Sequence, residues 1–210
     1  NAALVEFART AKIDLVVVGP EAPLAAGLVD AMQAAGIRAF GPTQAAAQLE
    51  ASKAFSKRFM RDAGIPTAEH AAFTDYISAL RYLDVCKHPV VVKADGLAAG
   101  KGVIMCETRD DAAAAVTHIL RDSAFGAAGR TVIIEERLTG PELSVLAFTD
   151  GKTVVPMPAA RDHKRVGEGD RGLNTGGMGA FAPVPDVDAA LMDDILRRVM
   201  QPAIDGMAAQ

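Results

Sequence analysis

The feature that most restricts the fold is a short apolar run that leads into a glycine-rich segment. Residues 90–92 are three valines, and a β-branched run of this length is typical of a strand buried on both faces. Lys93 ends the run. Residues 94–102 then contain a second lysine and three glycines, namely Lys101, Gly96, Gly100 and Gly102. Because glycine allows the backbone to approach a ligand closely, this segment is suited to binding an anion such as phosphate.

Three other interpretations of the glycine-rich segment compete with a phosphate loop. It could be a turn that merely links two strands, since residues 103–106 are apolar and could pair back as a hairpin. A Walker A loop needs Ser or Thr after its lysine, where this chain has Gly102. A dinucleotide fingerprint needs a helix after its glycines, whereas a strand is predicted here. A flexible loop between two antiparallel strands, preceded by a lysine, is what a lid over a nucleoside triphosphate requires.

Composition indicates a globular protein and little more. Half of the 210 residues are hydrophobic, which is enough for a core in one large or two small domains. A net charge of -4 without a lysine and arginine run argues against a nucleic-acid partner. Cys86 and Cys106 have no metal-site or redox spacing, and no signal peptide or long apolar span is present, so we expect a reduced, cytoplasmic protein that does not contact a membrane. The chain starts at Asn1 and stops within a predicted helix, so we expect a fragment that lacks both ends.

The first fifty residues predict a β-α-β unit. Residues 15–18 and 37–40 are short apolar runs typical of strands, and a helical pattern lies between them. In open parallel sheets, ligands collect at the carboxyl ends of the strands. The turn at that position is Gly19-Pro20-Glu21. The alternative role of Glu21 is a charge at a helix N-terminus, which the helix dipole favours.

The rest of the chain predicts an α+β arrangement with charges at the ends of its elements. Residues 52–63 predict a helix with Lys53 in its first turn, against the dipole preference, which indicates a task for this charge. A solvated lysine is the alternative. Residues 132–138 predict a buried strand that ends in Glu135 and Glu136, and a carboxylate beside an apolar core needs a partner.

That strand end offers a possible purine site. If a purine lies against it, the backbone of Glu136 and Leu138 can bond to the edge of the base, and Glu142 can accept from ribose hydroxyls. The alternative is that the strand simply runs out to solvent.

Two polar runs follow near the end of the chain. Residues 161–165 are all polar or charged, and residues 174–179 are so rich in glycine that we expect no regular structure there. In the functional interpretation, the two runs form a cationic clamp beside a tight loop, which suits a phosphorylated substrate. In the structural interpretation, they form a long charged surface loop in which His163 is solvated.

Five runs together resemble the glycinamide ribonucleotide synthetases, a family of the ATP-grasp superfamily. They are G-P-E-A-P-L from Gly19, S-K-A-F from Ser52, V-V-K-A-D-G-L-A-A-G-K-G from Val91, D-H-K-R from Asp162 and N-T-G-G-M-G-A from Asn174. The resemblance covers nearly the whole chain in the same order. It implies a mixed α/β and α+β fold, with residues 1–50 in a partial Rossmann-like domain and residues 51–210 in a partial ATP-grasp domain. Residues 66–138, approximately, would form the lid.

The resemblance implies a ligase of de novo purine biosynthesis. Glycine would be joined to 5-phosphoribosylamine through a glycyl phosphate, with ATP as the third substrate, giving glycinamide ribonucleotide, ADP and phosphate. Mg²⁺ or Mn²⁺ would be needed, and we expect its protein ligands outside this chain. Because the family's metal-binding strand and its N-terminal glycine loop are absent, we expect the 210-residue chain alone to be inactive. We also expect a monomer whose partners are small molecules.

The resemblance further implies roles for individual residues. Those implied to be catalytic are Lys93, Asp162, Lys164 and Arg165. Those implied to bind ATP are Lys53, Lys93, Asp95, Gly96, Gly100, Lys101, Gly102, Glu135, Glu136, Leu138 and Glu142. Those implied to bind the other substrates are Gly19, Pro20, Glu21, Asp162, Lys164, Arg165, Asn174, Thr175, Gly176, Gly177, Met178 and Gly179. No metal ligand is implied within the chain.

Two alternatives remain at this point. A different ATP-grasp ligase would share Lys93 and its loop but should lack the turn at Gly19 and the run from Asn174. A nucleotide sensor without catalytic activity would keep the ATP contacts and lose the acceptor site.

Overall fold

The computed structural model of the protein describes residues 1–98, 102–169 and 171–210. The chain divides into two compact units. Unit 1 comprises Asn1–Arg58 and Glu69–Arg137, and unit 2 comprises Phe59–Ala68 and Leu138–Gln210.

Unit 1 begins with the predicted β-α-β arrangement. Its elements in order are helix α1 (Ala2–Thr10), strand β1 (Val16–Val17), helices α2 (Glu21–Ala25) and α3 (Leu28–Ala34), and strand β2 (Ala39–Phe40). β1 and β2 pair in parallel, which confirms the prediction, although both are shorter than expected. Leu28, Val29 and Met32 of α3 pack with Ala8 and Val18 in a small core.

The second part of unit 1 is built on an antiparallel sheet. After helices α4 (Gln48–Ala51) and α5 (Lys53–Asp62), the elements are β3 (His70–Phe73), α6 (Tyr76–Val85), β4 (Val90–Ala94), β5 (Val103–Met105), α7 (Arg109–Val116) and β6 (Val132–Glu136). The strand order is β3-β6-β4-β5, and all pairs are antiparallel. The predicted pairing of residues 103–106 back onto the valine strand is therefore confirmed.

Two helices that pack on this sheet begin at capping residues that the sequence indicates. The Asp75 side chain accepts from the backbone N–H of Ser78 at 2.7 Å and starts α6. Thr108 and Asp111 form a reciprocal capping box at the start of α7. α7 then continues as a π-helical turn (Thr117–Arg121), and a 3-10 helix (Gly126–Arg130) precedes β6. These caps satisfy backbone N–H groups that a helix start leaves unpaired.

Alternation along β4 and β6 gives the sheet two different faces. Val90, Val92 and Ala94 of β4 join Val132 and Ile134 of β6 in a core that α6 and α7 cover. Because successive side chains in a strand point to opposite faces, the residues between them face the other way. On that other face, Val91 lies opposite Glu135, and Lys93 lies opposite Ile133. The sheet thus brings one lysine and one carboxylate to the same face.

Unit 2 contains two antiparallel strand pairs. Strands β7 (Ala147–Thr149) and β8 (Val154–Pro156) form a hairpin, as the pair Asp150-Gly151 indicates, and Asp150 accepts from the backbone N–H groups of Lys152 and Thr153. Before β7, Ser144 forms a single bridge to Ala160. The second pair is β9 (Arg161–Gly167) with β10 (Arg171–Phe181).

The prediction that residues 174–179 lack regular structure is wrong, because they lie within β10, and the charged run 161–165 lies within β9 rather than in a loop. Pairing between the two strands outweighs the local glycine preference. The ladder is irregular at Arg171/Asn174 and at Asn174/Gly179, and Gly177 has a φ of 125°. Glycine is well tolerated at such irregular positions.

A helical segment closes unit 2. It consists of α8 (Ala189–Ile195), a π-helical turn (Leu196–Met200) and α9 (Gln201–Ala208). The wide turn comes directly before Pro202, whose missing N–H predicts an interruption there. Gly206 of α9 lies against Phe59, since a Cβ built on Gly206 would be 2.9 Å from the ring.

Candidate functional site

A polar cavity of about 200 Å³ lies in unit 1. Its lining is dominated by charged side chains, and the residues are Leu49, Glu50, Lys53, Ser56, Lys57, Lys93 and Glu135. Three ammonium groups and two carboxylates therefore share the cavity. The local excess of positive charge suits an anionic ligand.

Glu135 is the buried centre of this cavity. Lys57 Nζ donates to its Oε1 at 2.7 Å, and Lys93 Nζ forms an ion pair with its Oε2 at 2.7 Å. Oε2 is itself buried, so the Lys93 ammonium is the close charged partner of a carboxylate oxygen that has little contact with water. Burial raises the pKa of Glu135, but the two ammonium groups outweigh burial and bring the pKa below its usual value. Glu135 is therefore ionised.

Hydrogen bonds of Asp95 link the start of α5, which carries Lys53, to the segment after β4. The Asp95 carboxylate accepts from Ser52 Oγ at 3.0 Å and from the backbone N–H of Ala54 at 2.7 Å. Lys53 Nζ in turn donates to the carbonyl oxygens of Asp95 (3.3 Å) and Gly96 (3.2 Å). Burial lowers the pKa of Lys53, and the Asp95 charge opposes that shift. Asp95 thus holds the start of α5, with its lysine, beside the strand that carries Lys93.

Two of the predicted ATP-loop glycines are also required by packing. A Cβ on Gly96 would lie 2.9 Å from Ala128 Cβ, and a Cβ on Gly102 would lie 2.7 Å from Ala98 Cβ. Real side chains essentially never approach so closely, so a larger residue would displace the backbone. Gly100 and Lys101, which we also expected to contact ATP, lie outside the described residues.

The residues expected to bind the base and the ribose lie on both sides of the unit boundary. In unit 1, the Glu136 backbone N–H donates to the Glu69 carbonyl oxygen at 2.8 Å, so this group is engaged within the protein. In unit 2, Leu138 is 67% exposed. Glu142 Oε2, also in unit 2, accepts from Lys164 Nζ at 2.6 Å.

The charged run in β9 forms a small network within unit 2. Lys164 Nζ lies 2.6 Å from Glu142 and 3.5 Å from Asp162, and the hydrogen bond to Glu142 raises the pKa of Lys164. Arg165 lies opposite Asn174 in the β9–β10 register. His163 is exposed, in agreement with the solvated side chain expected, and its ring also stacks on Phe181 at 5.9 Å between ring centres.

The other predicted substrate residues have simple positions. In unit 1, Gly19 precedes α2, Pro20 caps it, and the exposed Glu21 is its first residue. In unit 2, Thr175 Oγ1 donates to the Lys164 carbonyl oxygen and accepts from the Gly177 backbone N–H. The remaining positions of that run lie along β10 and are Gly176, Met178 and Gly179.

Unit 1 therefore brings together several predicted ATP contacts, which are Lys53, Lys93, Asp95, Gly96 and Glu135. Unit 2 brings Glu142, a predicted ribose contact, to Asp162 and Lys164, which are predicted substrate contacts, whereas alternation along β9 directs Arg165 to the other face of the strand. Lys57 was not among the predicted site residues, although it lines the cavity. Its signal was available, since residues four apart on a helix share a face and Lys57 follows Lys53 by four.

Neither a membrane span nor a metal centre is found among the described residues. No helix among them is both long and apolar enough to span a bilayer. Within the same ranges, no three His, Cys, Asp or Glu side chains converge as ligands of a metal ion.

Two sequence-family models match the chain. Residues 51–210 match the phosphoribosylglycinamide synthetase ATP-grasp (A) domain, and residues 1–50 match the N domain of the same synthetase. This is the family, under its other name, that the five runs resemble. The expected ATP-grasp fold is thereby confirmed.

Curated sequences and solved structures agree with the family models. A phosphoribosylamine–glycine ligase of Pasteurella multocida is 56% identical over 207 residues, which are 99% of this chain and 48% of that protein. The crystal structure of a phosphoribosylamine–glycine ligase from Thermotoga maritima aligns with a TM-score of 0.75 at 34% identity, covering 80% of this chain and 43% of that one.

A more distant structure shows the same fold. The biotin carboxylase domain of a 2-oxoglutarate carboxylase from Hydrogenobacter thermophilus has a TM-score of 0.71 at 20% identity, covering 99% of this chain and 44% of that one. The chain spans about half the length of the curated relative from Pasteurella multocida. Since the two family models together match all 210 residues, the chain belongs to the phosphoribosylglycinamide synthetase family.

Proposed function

We propose that the complete protein carrying this chain uses ATP to join glycine to 5-phosphoribosylamine. The products are glycinamide ribonucleotide, ADP and phosphate, as in de novo purine biosynthesis. The name of the Pasteurella multocida relative supports this reaction. The structural observation that carries the proposal is the three-lysine cavity next to the glycine-rich segment, because a triphosphate requires concentrated positive charge.

The reaction proceeds in two displacements. An oxygen of the glycine carboxylate attacks the γ-phosphorus, the bond from that phosphorus to ADP breaks, and a glycyl phosphate forms. The amine nitrogen of phosphoribosylamine then attacks the glycyl carbonyl carbon and loses a proton, and phosphate leaves with the bridging oxygen of glycine. Phosphoryl transfer depends mainly on positioning and on neutralising charge, which we assign to Lys53 and Lys93.

We assign the rest of the ATP contacts to the segment around β4 and to the end of β6. The segment from Asp95 to Gly102 covers the phosphates and excludes water, which would hydrolyse an acyl phosphate. The backbone of Glu136 and of Leu138 contacts the edge of the base, and Glu142 accepts from the ribose. If Glu142 exchanges its hydrogen bond with Lys164 for one with the ribose, the Lys164 ammonium becomes available to another ligand.

We assign the acceptor substrates to the charged network of unit 2 and to the turn before α2. Asp162, Lys164 and Arg165 bind and orient the amino sugar phosphate and glycine, together with β10 residues 174–179 and the Gly19-Pro20-Glu21 turn. We place the boundary between the substrate-binding and ATP-grasp domains near residue 50, with the lid at about 66–138.

Mg²⁺ or Mn²⁺ accompanies ATP in this proposal, as a counter-charge for the phosphates. The Hydrogenobacter thermophilus neighbour was crystallised with MgADP, which supports a divalent cation. We further propose a cytoplasmic monomer that acts on small molecules and binds neither nucleic acid nor membrane.

Isotope transfer tests the reaction directly. The complete protein is incubated with ATP, 5-phosphoribosylamine and glycine labelled with ¹⁸O in its carboxylate, and the released phosphate is analysed by mass spectrometry. We expect ADP release that requires glycine and one ¹⁸O atom in each phosphate, because the bridging oxygen leaves with phosphorus. Unlabelled phosphate, or ADP release at the same rate without glycine, would contradict the proposal. A reaction without phosphoribosylamine is the control for slow hydrolysis of the intermediate.

A further inference from the structure

Lys57 is a buried cation in the phosphate cavity, and the reaction above gives it no task. It is 7% exposed and follows Lys53 by one helical turn in α5. Its Nζ lies 2.7 Å from Glu135 Oε1. A buried lysine is costly unless a carboxylate pairs with it, so the contact with Glu135 fixes where its charge acts.

Lys57 and Lys93 contact the same carboxylate in different ways. Lys57 donates a hydrogen bond to Oε1 from a nearly dry position, whereas Lys93 forms an ion pair with Oε2 from a position nearer to solvent. The side chain of Lys93 is 24% exposed, against 9% for that of Lys57. Lys57 is therefore the fixed partner of Glu135, and Lys93 is the partner that can turn to a ligand in the cavity.

Glu135 also has other titratable groups near it, and they occupy different positions from Lys57. Lys53 and Glu50 line the same cavity, and Lys53 is bonded to the carbonyl oxygens of Asp95 and Gly96. His70 lies opposite Glu135 in the β3–β6 register. Without Lys57, Lys93 would carry more of the neutralisation of a buried carboxylate, and Coulomb attraction is strong in such a place.

We propose that Lys57 is a positioning residue: by neutralising Glu135, it leaves the Lys93 ammonium available for the phosphates of the nucleotide. The inference rests on the proposed function only in taking ATP as the ligand of the cavity. Lys57 acts through Glu135 and does not itself touch the nucleotide. Its effect must therefore depend on the charge of Glu135.

ATP affinity of the complete protein, measured by calorimetry, tests the first part. Lys57→Met keeps the length and apolar stem of the side chain and removes its charge. We expect the dissociation constant for ATP to rise by about tenfold or more, as for the loss of one charge-assisted contact. Arg58→Met removes a cation from the exposed neighbouring position of α5 and should change the constant by less than about twofold. Unchanged affinity in Lys57→Met would overturn the inference.

A double-mutant cycle tests whether Lys57 acts through Glu135. In a Glu135→Gln background the carboxylate no longer captures Lys93, so adding Lys57→Met should change ATP affinity by less than about twofold. A fall as large as in the unmodified background would mean that Lys57 binds the nucleotide directly, and would overturn the inference. The comparison within the Glu135→Gln background can be made even if Lys57→Met alone fails to fold, and a fall of about tenfold or more there would also overturn the inference.

The results of the double-mutant cycle can be distinguished from those of the isotope experiment that tests the proposed function. ATP binding requires neither glycine nor phosphoribosylamine, so the cycle can succeed when the isotope experiment fails. Absence of ATP binding in the unmodified protein would overturn the inference and the ATP-dependent reaction together.

Discussion

At the scale of single residues, Glu135 is the buried charge in unit 1 around which two lysines are arranged. It is 9% exposed and has an ammonium group 2.7 Å from each carboxylate oxygen. A buried charge pair contributes little net stability, but losing one partner of it is costly. The arrangement is therefore better explained by a function for the cations than by stabilisation of the fold.

Replacing Glu135 by Gln should weaken the acid dependence of unfolding. Folding lowers the pKa of Glu135, so its ionised form stabilises the folded protein. This contribution is complete above the unfolded pKa of about 4.3 and is lost as the pH falls through the lower folded pKa. We expect the urea midpoint of the unmodified protein to fall more between about pH 5 and pH 3 than that of Glu135→Gln. Glu107, an exposed carboxylate paired with Arg137, offers a control, since Glu107→Gln should keep the full dependence of the urea midpoint on pH. Equal slopes in all three proteins would contradict the account.

Close packing at one glycine limits how α9 lies within unit 2. An alanine in a helix is ordinarily more stable than glycine by about 1 kcal/mol. Here the added Cβ would lie 2.9 and 3.0 Å from two atoms of the Phe59 ring, and Phe59 is only 4% exposed. A buried ring cannot easily move aside, and overpacking costs about 1–3 kcal/mol. The unfavourable contact should therefore outweigh the better helix propensity.

We expect Gly206→Ala to lower the free energy of unfolding by about 1 kcal/mol, measured by urea denaturation. The control is the same change in a Phe59→Leu background, which removes the ring and should make Gly206→Ala neutral or stabilising. A stabilising effect of Gly206→Ala alone would show that α9 packs less closely than described.

Local signals predicted those elements that depend on neighbouring residues. The valine strand, the capping box of Thr108 and Asp111, and the hairpin at Asp150 follow from a few adjacent residues. β10 could not be predicted in this way, because its glycines favour irregular structure and only pairing with β9 makes it a strand.

The site depends on pairing between distant parts of the whole molecule. Lys53 and Lys93 stood out in the sequence as charges at element ends, and unit 1 places both in one cavity. The contact of Glu135 with Lys57 joins residues 78 apart, and β4 and β6 must pair before Glu135 can reach Lys93. No local pattern contains that information. The five runs nevertheless predicted the family, which matches the whole chain.

The central claim is that the three-lysine cavity of unit 1 binds nucleotide phosphates through Lys93. Its most direct test is calorimetric titration of the complete protein with ATP and Mg²⁺, comparing the unmodified protein with Lys93→Met and with the control Lys87→Met. Lys87 is an exposed lysine of unit 1 that does not line this cavity. We expect Lys93→Met to weaken ATP binding by about tenfold or more and Lys87→Met to change it by less than about twofold. Equal affinity in Lys93→Met and the unmodified protein would contradict the claim.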